Sequence, residues 1–249
     1  MENRGNGCQS KRFDEEYLAG KYEGKKPAKI VCDWNLEFGD YIKELGGQIA
    51  VFGIGPGRNL PSYAETGYAQ IIGIDFNSVA IERCQKKVEE NAWPNVELIH
   101  GDWKKSGLKT KSCVAIFAIN TLQFVNGPEE AQTVWQEVGR ILVPGGLFLA
   151  RVNSDRFSEH TNHHNVSEDG KTYQIAEGSR KGIIKHCYSE DELKNLAKKT
   201  GFEIVEISHR THLRTENKLS PEYMEKYGDL INKRVGTKSG KWRVVFKKI

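Results

Sequence analysis

The sequence lacks any C-x-x-C pair, and its five cysteines, Cys8, Cys32, Cys84, Cys113 and Cys187, are odd in number. That argues against a disulfide frame and a zinc site, and the cysteines read as reduced thiols. Long apolar runs are missing too. The longest, Val114 to Ile119, falls far short of the roughly 20 residues that a membrane span needs. The opening stretch, Met1 to Glu16, mixes both charge signs and has no apolar leader segment. A soluble, unexported, cytoplasmic protein with no membrane partner is expected. Neither an internal repeat nor a low-complexity tract is present.

What is there suffices for one large α/β domain with a sizeable core, since 249 residues slightly exceed a minimal one and leave room for extra segments. The net charge of +4 is unevenly placed. From Ile207 to Ile249 eleven Lys or Arg stand against four Asp or Glu, so this C-terminal stretch is basic and the rest slightly acidic. Such a balance suits either an anionic partner or a solvated, lysine-rich surface.

The stretch from Gln48 to Asp75 organises the chain. An apolar strand (Ile49, Ala50, Val51, Phe52) meets the turn Gly53-Ile54-Gly55-Pro56-Gly57-Arg58-Asn59. A helix follows, with Pro61 in its first turn and Gly67 as its stop. A second strand, Ile71 to Ile74, then delivers Asp75. A glycine turn between strand and helix lets a ligand lie against bare backbone, and the helix points unpaired N–H groups at it. A carboxylate at the end of the next strand is placed to accept from a ribose diol. A glycine turn alone could be only a turn, but turn, spacing and acid agree with one another.

Further along, Asn35 to Leu45 reads as a helix closed by Gly46-Gly47, and a shorter helix or cap lies within Phe13 to Gly24. Asn77-Ser78 caps a helix reaching about Asn91. Val96 to His100, Cys113 to Ile119 and Leu147 to Val152 read as strands, with a helix opened by Pro128 before the last. Asn153 to His186 is polar and too long for a plain connection, so it is either a functional lid or disordered. Ser189 to Glu192 is a capping box. Phe202 to Ser208 and Trp242 to Phe246 are the final strands, separated by a segment in which Ser220-Pro221 begins a helix. Strands alternating with helices predict a doubly wound α/β fold, with the seven expected strands in a mostly parallel sheet. Residues 1–47 would form an N-terminal cap and first helices. Residues 48–249 would form the main domain, with insertions near 154–187 and 211–240.

The G-x-G-x-G-R-N turn resembles motif I of the class I S-adenosylmethionine-dependent methyltransferases, and the resemblance covers most of the chain. Asp75-Phe76 looks like that family's ribose-binding acid and the neighbour that lies against adenine. Gly101-Asp102-Trp103 is similar to its adenine-binding motif. Ala118-Ile119-Asn120-Thr121-Leu122-Gln123-Phe124 looks like the segment after the fourth strand that faces the cofactor's methionine and the acceptor, and Leu142-Val143-Pro144-Gly145-Gly146 resembles the turn before its fifth strand. The resemblance implies the Rossmann-like methyltransferase fold, a mostly parallel seven-stranded sheet with a reversed edge strand, which the final order of strand, insertion and strand fits. It also implies S-adenosyl-L-methionine as cofactor, S-adenosyl-L-homocysteine as product, and a cofactor site made of Gly53, Ile54, Gly55, Pro56, Gly57, Arg58, Asn59, Asp75, Phe76, Asp102, Trp103, Ile119 and Asn120.

Methyl transfer from a sulfonium needs collinear positioning and dryness more than a fixed catalytic dyad. Acceptor-side candidates are Tyr17 and Tyr22 from the N-terminal cap, Asn120 and Gln123 after the fourth strand, and His160, His163, His164 and His186 from the long insertion. His160-x-x-His163-His164 has no acidic neighbour in fixed spacing, so no metal is expected. Asn120-Thr121-Leu122-Gln123 lacks the Pro-Pro-aromatic sequence of nucleic-acid amino methyltransferases, which counts against base flipping. A small-molecule acceptor is the leading expectation. The alternative is RNA or protein, bound through the basic C-terminal stretch from Ile207 to Ile249. A nicotinamide oxidoreductase would need glycine at position 58, and a non-catalytic binder would keep the cradle without transfer.

Overall fold

The computed structural model describes residues 13–156, 163–177, 180–213 and 238–249. A helical stretch over residues 13–18 (α1) precedes α2 (Lys29–Leu45), which starts earlier than the expected Asn35. The alternation then runs β1 (Gln48–Phe52), α3 (Leu60–Thr66), β2 (Gln70–Asp75), α4 (Ser78–Glu90), β3 (Val96–His100), β4 (Cys113–Ile119), α5 (Pro128–Ile141) and β5 (Leu142–Asn153). Three short strands follow, β6 (His163–Asn165), β7 (Thr172–Ile175) and β8 (Ile184–His186), and then α6 (Glu190–Thr200), β9 (Phe202–Leu213) and β10 (Lys238–Lys248).

Seven strands form one sheet in the order β3-β2-β1-β4-β5-β10-β9. Neighbours from β3 to β5 pair in parallel, while β10 runs antiparallel to both β5 and β9. The reversed strand at that edge is therefore β10, with β9 outside it. Because helices cover both faces, the central strands are apolar throughout: β4 is buried along nearly all its length. One face carries α5 and α6, where Trp135 meets Phe246 (ring centroids 4.8 Å apart) and Phe148 (5.2 Å). The other carries α2, α3 and α4, with Trp34, Ile42, Leu60, Tyr63 and Cys84 packed against β1 and β4. Truncating Trp135 to Ala would cost about 3–5 kcal/mol through the cavity it leaves.

The ends of the helices follow their local chemistry. The Asn77 side chain accepts from the Ala80 N–H at 2.8 Å to start α4, and Gly201, at φ 73°, ends α6. At the capping box only half of the arrangement forms. Ser189 Oγ accepts from Glu192 N–H at 3.2 Å, but the Glu192 carboxylate turns away to His186. The Pro144-Gly145-Gly146 turn lies inside β5 as an irregularity: Cys113 pairs with Leu142 and Ala115 with Leu147.

The polar insertion expected over 154–187 holds order where it is described, as the antiparallel sheet β6-β7-β8. Of the second insertion, 211–240, the parts described belong to β9 and β10, which are longer than the sequence suggested. The helix expected from Ser220 lies outside the described residues, as does His160.

Candidate functional site

Between β1 and β4 the direction of strand succession reverses, and a cavity opens outside their C-terminal ends, where such sheets bind ligands. Its volume is about 650 Å³. The floor is the turn after β1, with Gly53, Ile54, Gly55, Pro56, Arg58 and Asn59 at its wall. Gly55 sits at φ +57°, and a Cβ placed there would meet only Tyr17 Oη, at 3.9 Å, so bare backbone faces open space. Gly53 differs, since a Cβ there would collide with Thr121. Gly57 does not line the cavity, and a Cβ there would press on Cys84 Sγ of α4 at 2.8 Å. The remaining motif side chains hold the chain ahead of α2. Asn59 Oδ1 accepts from Ala28 N–H at 2.9 Å, and Arg58 Nε donates to the Lys26 carbonyl at 2.9 Å.

Asp75 ends β2 almost wholly buried at the cavity wall. Its two oxygens are held separately: Oδ2 accepts from Gly55 N–H at 2.8 Å and Oδ1 from Asn77 N–H at 3.0 Å. Burial pushes its carboxyl up to about 6, and the bonds from Asn77 and Gly55 restrain that rise. Phe76 stands beside it, half-buried and edge-on to Phe13. Ile119 and Asn120 line the opposite wall, with Asn120 at φ 55°. Thr121 Oγ1 donates to the Phe52 carbonyl at 3.0 Å and so fixes the loop after β4 to the end of β1. Among the described residues, Asn120 Oδ1 and Gln123 Oε1 are buried without a hydrogen-bond partner, and both residues line the cavity. An unpaired buried acceptor costs about 1–3 kcal/mol, so these oxygens fit a ligand that donates to them.

A roof closes over this floor. Phe13, packed with Phe76 and Phe124, joins Tyr173, Ile175 and Ile183 of the small sheet in one apolar cluster. Arg180, between β7 and β8, grips Glu16 of α1 through Nε (3.0 Å) and Nη2 (2.7 Å), and also reaches Tyr22 Oη at 3.2 Å. Burial works against the Glu16 charge, but Arg180 and Lys21 prevail and hold its carboxyl at about 2. Tyr17 faces the turn, and burial together with the Asp75 charge raises its phenol well above the usual range, so it stays protonated. Tyr22 also lines the cavity.

Several expected residues lie elsewhere. Trp103 is buried in the core beside Phe52. Asp102 is outside the cavity, where its carboxylate accepts from Lys104 N–H at 3.0 Å and starts a single turn over Trp103–Lys105. His186 is fully buried away from the cavity: Nδ1 is 2.8 Å from Thr172 Oγ1 and Nε2 is 2.7 Å from Glu192 Oε1, so both nitrogens join structural elements. His163 and His164 belong to β6. No cluster of three or more His, Cys, Asp or Glu among the described residues could hold a metal ion. The cavity also contains cations that sequence reasoning passed over, among them Arg151, Arg180, Lys185 and Lys241. Arg151 carried a signal, being a charge inside an otherwise apolar strand.

Residues 51–150 match a family model described as a methyltransferase domain. No curated protein matches the chain significantly. Solved structures share its fold at low identity. An S-adenosylmethionine-dependent methyltransferase from Methanosarcina mazei is 18% identical, with 82% of this chain and 93% of that one covered, at a TM-score of 0.61. One from Clostridium acetobutylicum is 12% identical, with 88% and 91% covered, at 0.61. The [4+2]-cyclase SpnF is 16% identical, with 85% and 80% covered, at 0.57. At such identities the likeness is one of fold, and fold by itself does not name the reaction.

Proposed function

We infer from the methyltransferase domain over residues 51–150, an enzyme domain of the S-adenosylmethionine-dependent kind, that this chain transfers a methyl group to a small-molecule acceptor in the roofed cavity. The observation that carries the small-molecule reading is the roof. The cavity's volume lies within the range of about 300–1,000 Å³ that suits ligands of drug size. The Glu16–Arg180 pair and the Phe13 cluster tie α1 to the small sheet above it. The basic C-terminal stretch gives less support to a polymer acceptor. Arg243 is paired with Glu37 and Glu206, and Lys248 donates to the carbonyls of Thr200 and Gly201 that end α6.

The residues present fit the cofactor on two counts: Gly55 offers backbone where any side chain would intrude, and Asp75 offers a carboxylate held in place by the same turn. In this reading the turn from Gly53 to Pro56 cradles the methionine part, Asp75 accepts from the ribose hydroxyls and Phe76 lies along the adenine. When bound, S-adenosylmethionine supplies an electrophilic methyl carbon, which leaves with the acceptor's lone pair forming the new bond while sulfur keeps the old pair. The chain's own contribution is positioning and exclusion of water. Asn120 and Gln123 present acceptor oxygens to the reacting face, and Phe13, Phe124 and Tyr17 keep it dry. Tyr17, held protonated, orients rather than removes a proton.

Incubation of a metabolite extract, RNA and cell protein with a labelled methyl donor and this protein tests the reading. Label in the small-molecule filtrate supports it, whereas label confined to the RNA or protein fraction would overturn it.

A further inference from the structure

The loop after β4 is pinned along its backbone. Thr121 Oγ1 donates to the Phe52 carbonyl of β1 at 3.0 Å, Tyr188 Oη donates to the Leu122 carbonyl at 2.8 Å, and the His186 N–H of β8 donates to the Gln123 carbonyl at 2.8 Å. The Phe124 N–H closes a turn on the Thr121 carbonyl at 3.0 Å. The loop therefore joins the central sheet to the roof, and its backbone has little freedom to carry a side chain out of the cavity wall.

Two polar atoms of this loop are left over. Of the described residues that line the cavity, only Asn120 and Gln123 have a buried side-chain oxygen without a hydrogen-bond partner. They are not equivalent. Asn120 directly follows β4 and precedes Thr121, whose side chain abuts Gly53, so it stands at the cofactor end of the cavity. Gln123 lies beyond Thr121 on the roof side, tied by its carbonyl to β8 and followed by Phe124, whose ring meets Phe13 edge-on at 5.4 Å. Gln123 is only 4% exposed. A buried amide oxygen that no neighbour satisfies costs stability, and such a group in a folded protein calls for an explanation outside the packing. The terminal torsion of a glutamine is broad, so the oxygen turns to face a ligand at little cost.

An amide oxygen is an uncharged acceptor. It matches an O–H or N–H, gives nothing to an ether or an alkyl group, and finds only a weak donor in a thiol. A cationic group taken out of water would need a carboxylate to compensate it. Among the described residues that line the cavity the only carboxylate is Asp75, whose two oxygens are held by Gly55 and Asn77 in the cradle. The wall on the roof side is aromatic, with Phe13 stacked on Tyr17 at 5.9 Å and edge-on to Phe124, all three lining the cavity. Such rings take a flat apolar body by stacking or edge contact.

We propose that Gln123 selects the methyl acceptor, a neutral small molecule with a flat apolar body against Phe13 and Phe124 and an O–H or N–H that donates to Gln123 Oε1. The hydrogen bond is one of recognition, and the proton stays on the ligand. A site built to pair with a donor rejects the analogue that lacks it, because its own buried oxygen is then left unpaired. The proposal rests on the methyltransferase reading of the cavity, but selection by Gln123 is measurable without turnover.

The test is an NMR titration of the protein saturated with S-adenosylhomocysteine, at neutral pH, with probes of matched size. Phenol and aniline donate, anisole and toluene do not, and benzylammonium is charged. Phenol and aniline should bind saturably and about tenfold more tightly than anisole and toluene. Gln123→Met keeps the volume and removes the oxygen, so it should erase that preference while melting no lower than the wild type, because the lost oxygen had no partner. Gln123→Glu keeps an oxygen in the same place and should retain the preference. A structural role would instead lower the melting temperature of Gln123→Met or leave its preference intact, and either result overturns the proposal. So would loss of the preference in Gln123→Glu, equal binding of phenol and anisole by the wild type, benzylammonium as the tightest probe, or no saturable binding of phenol or aniline. If S-adenosylhomocysteine gives no heat, the methyltransferase reading fails, and the same series on the free protein decides the Gln123 site separately.

Discussion

The backbone N–H of Gly55 donates to Asp75 Oδ2 at 2.8 Å, joining the turn after β1 to the end of β2. One hydrogen bond thus sets both halves of the cradle, the bare backbone and the acid, in a fixed relation. Because Asn77 N–H holds the other oxygen, the carboxylate has little freedom left, and a ligand meets it already oriented.

Asp75→Ala should weaken S-adenosylhomocysteine binding by about 1.5–3 kcal/mol, the worth of charge-assisted hydrogen bonds in a buried site. Calorimetry on the folded variant checks this, and unchanged affinity would remove Asp75 from the site.

The pH dependence has a definite sign. A carboxyl raised to about 6 is protonated below that pH, and only the ionised form accepts from two hydroxyls. Cofactor affinity should therefore be full above pH 6 and fall by up to about tenfold per unit as pH drops below it. Asp75→Asn should flatten the profile between pH 5 and 7, and an equally steep profile in that variant would assign the titration to another group.

Gly55→Val should abolish binding. The residue sits at φ +57°, and its Cβ would project into the cavity toward Tyr17. Gly55→Ala should weaken binding less, with about 1–2 kcal/mol of backbone strain added. Circular dichroism of the free variants separates loss of binding from loss of fold.

Arg180→Gln removes the principal partner of buried Glu16 and should destabilise the roof by about 3 kcal/mol. Hydrogen exchange should quicken over residues 13–22, and S-adenosylhomocysteine should leave faster, while the central sheet keeps its protection. The same pair makes the roof acid-sensitive. With Glu16 held at about 2, its contribution is whole above the ordinary glutamate range and is lost as pH falls from about 4.5 toward 2. Uniform protection in Arg180→Gln would show that the pair does not hold the roof.

His186→Ala should lower stability by about 1–3 kcal/mol, since it strands Thr172 and Glu192, but it should leave the turnover of folded enzyme nearly unchanged. A loss of kcat at equal folded fraction would return His186 to the chemistry.

What the sequence makes legible is local. The run of Gly53, Gly55 and Asp75 can be read because positive-φ glycine and a strand-end acid follow from short-range rules, and so can the helix starts at Asn77 and Ser189. Less legible are features made by partners in other elements. Glu192 looked like a capping acid, yet its carboxylate meets the ring of His186, which β8 supplies. The short strands of the small sheet are three or four residues long and mostly polar, too brief for a period-2 pattern to stand out. That Arg151 of β5, Lys241 of β10 and Arg210 of β9 are neighbours is invisible in one dimension, because only the register of three strands brings them together.

Calorimetric titration of the purified, folded protein with S-adenosylhomocysteine tests the central claim most directly. A saturable one-to-one exotherm, weakened in Asp75→Ala and lost in Gly55→Val, is the expected result. Neither heat nor a melting shift from wild-type protein, or a response to NADH in its place, would contradict it.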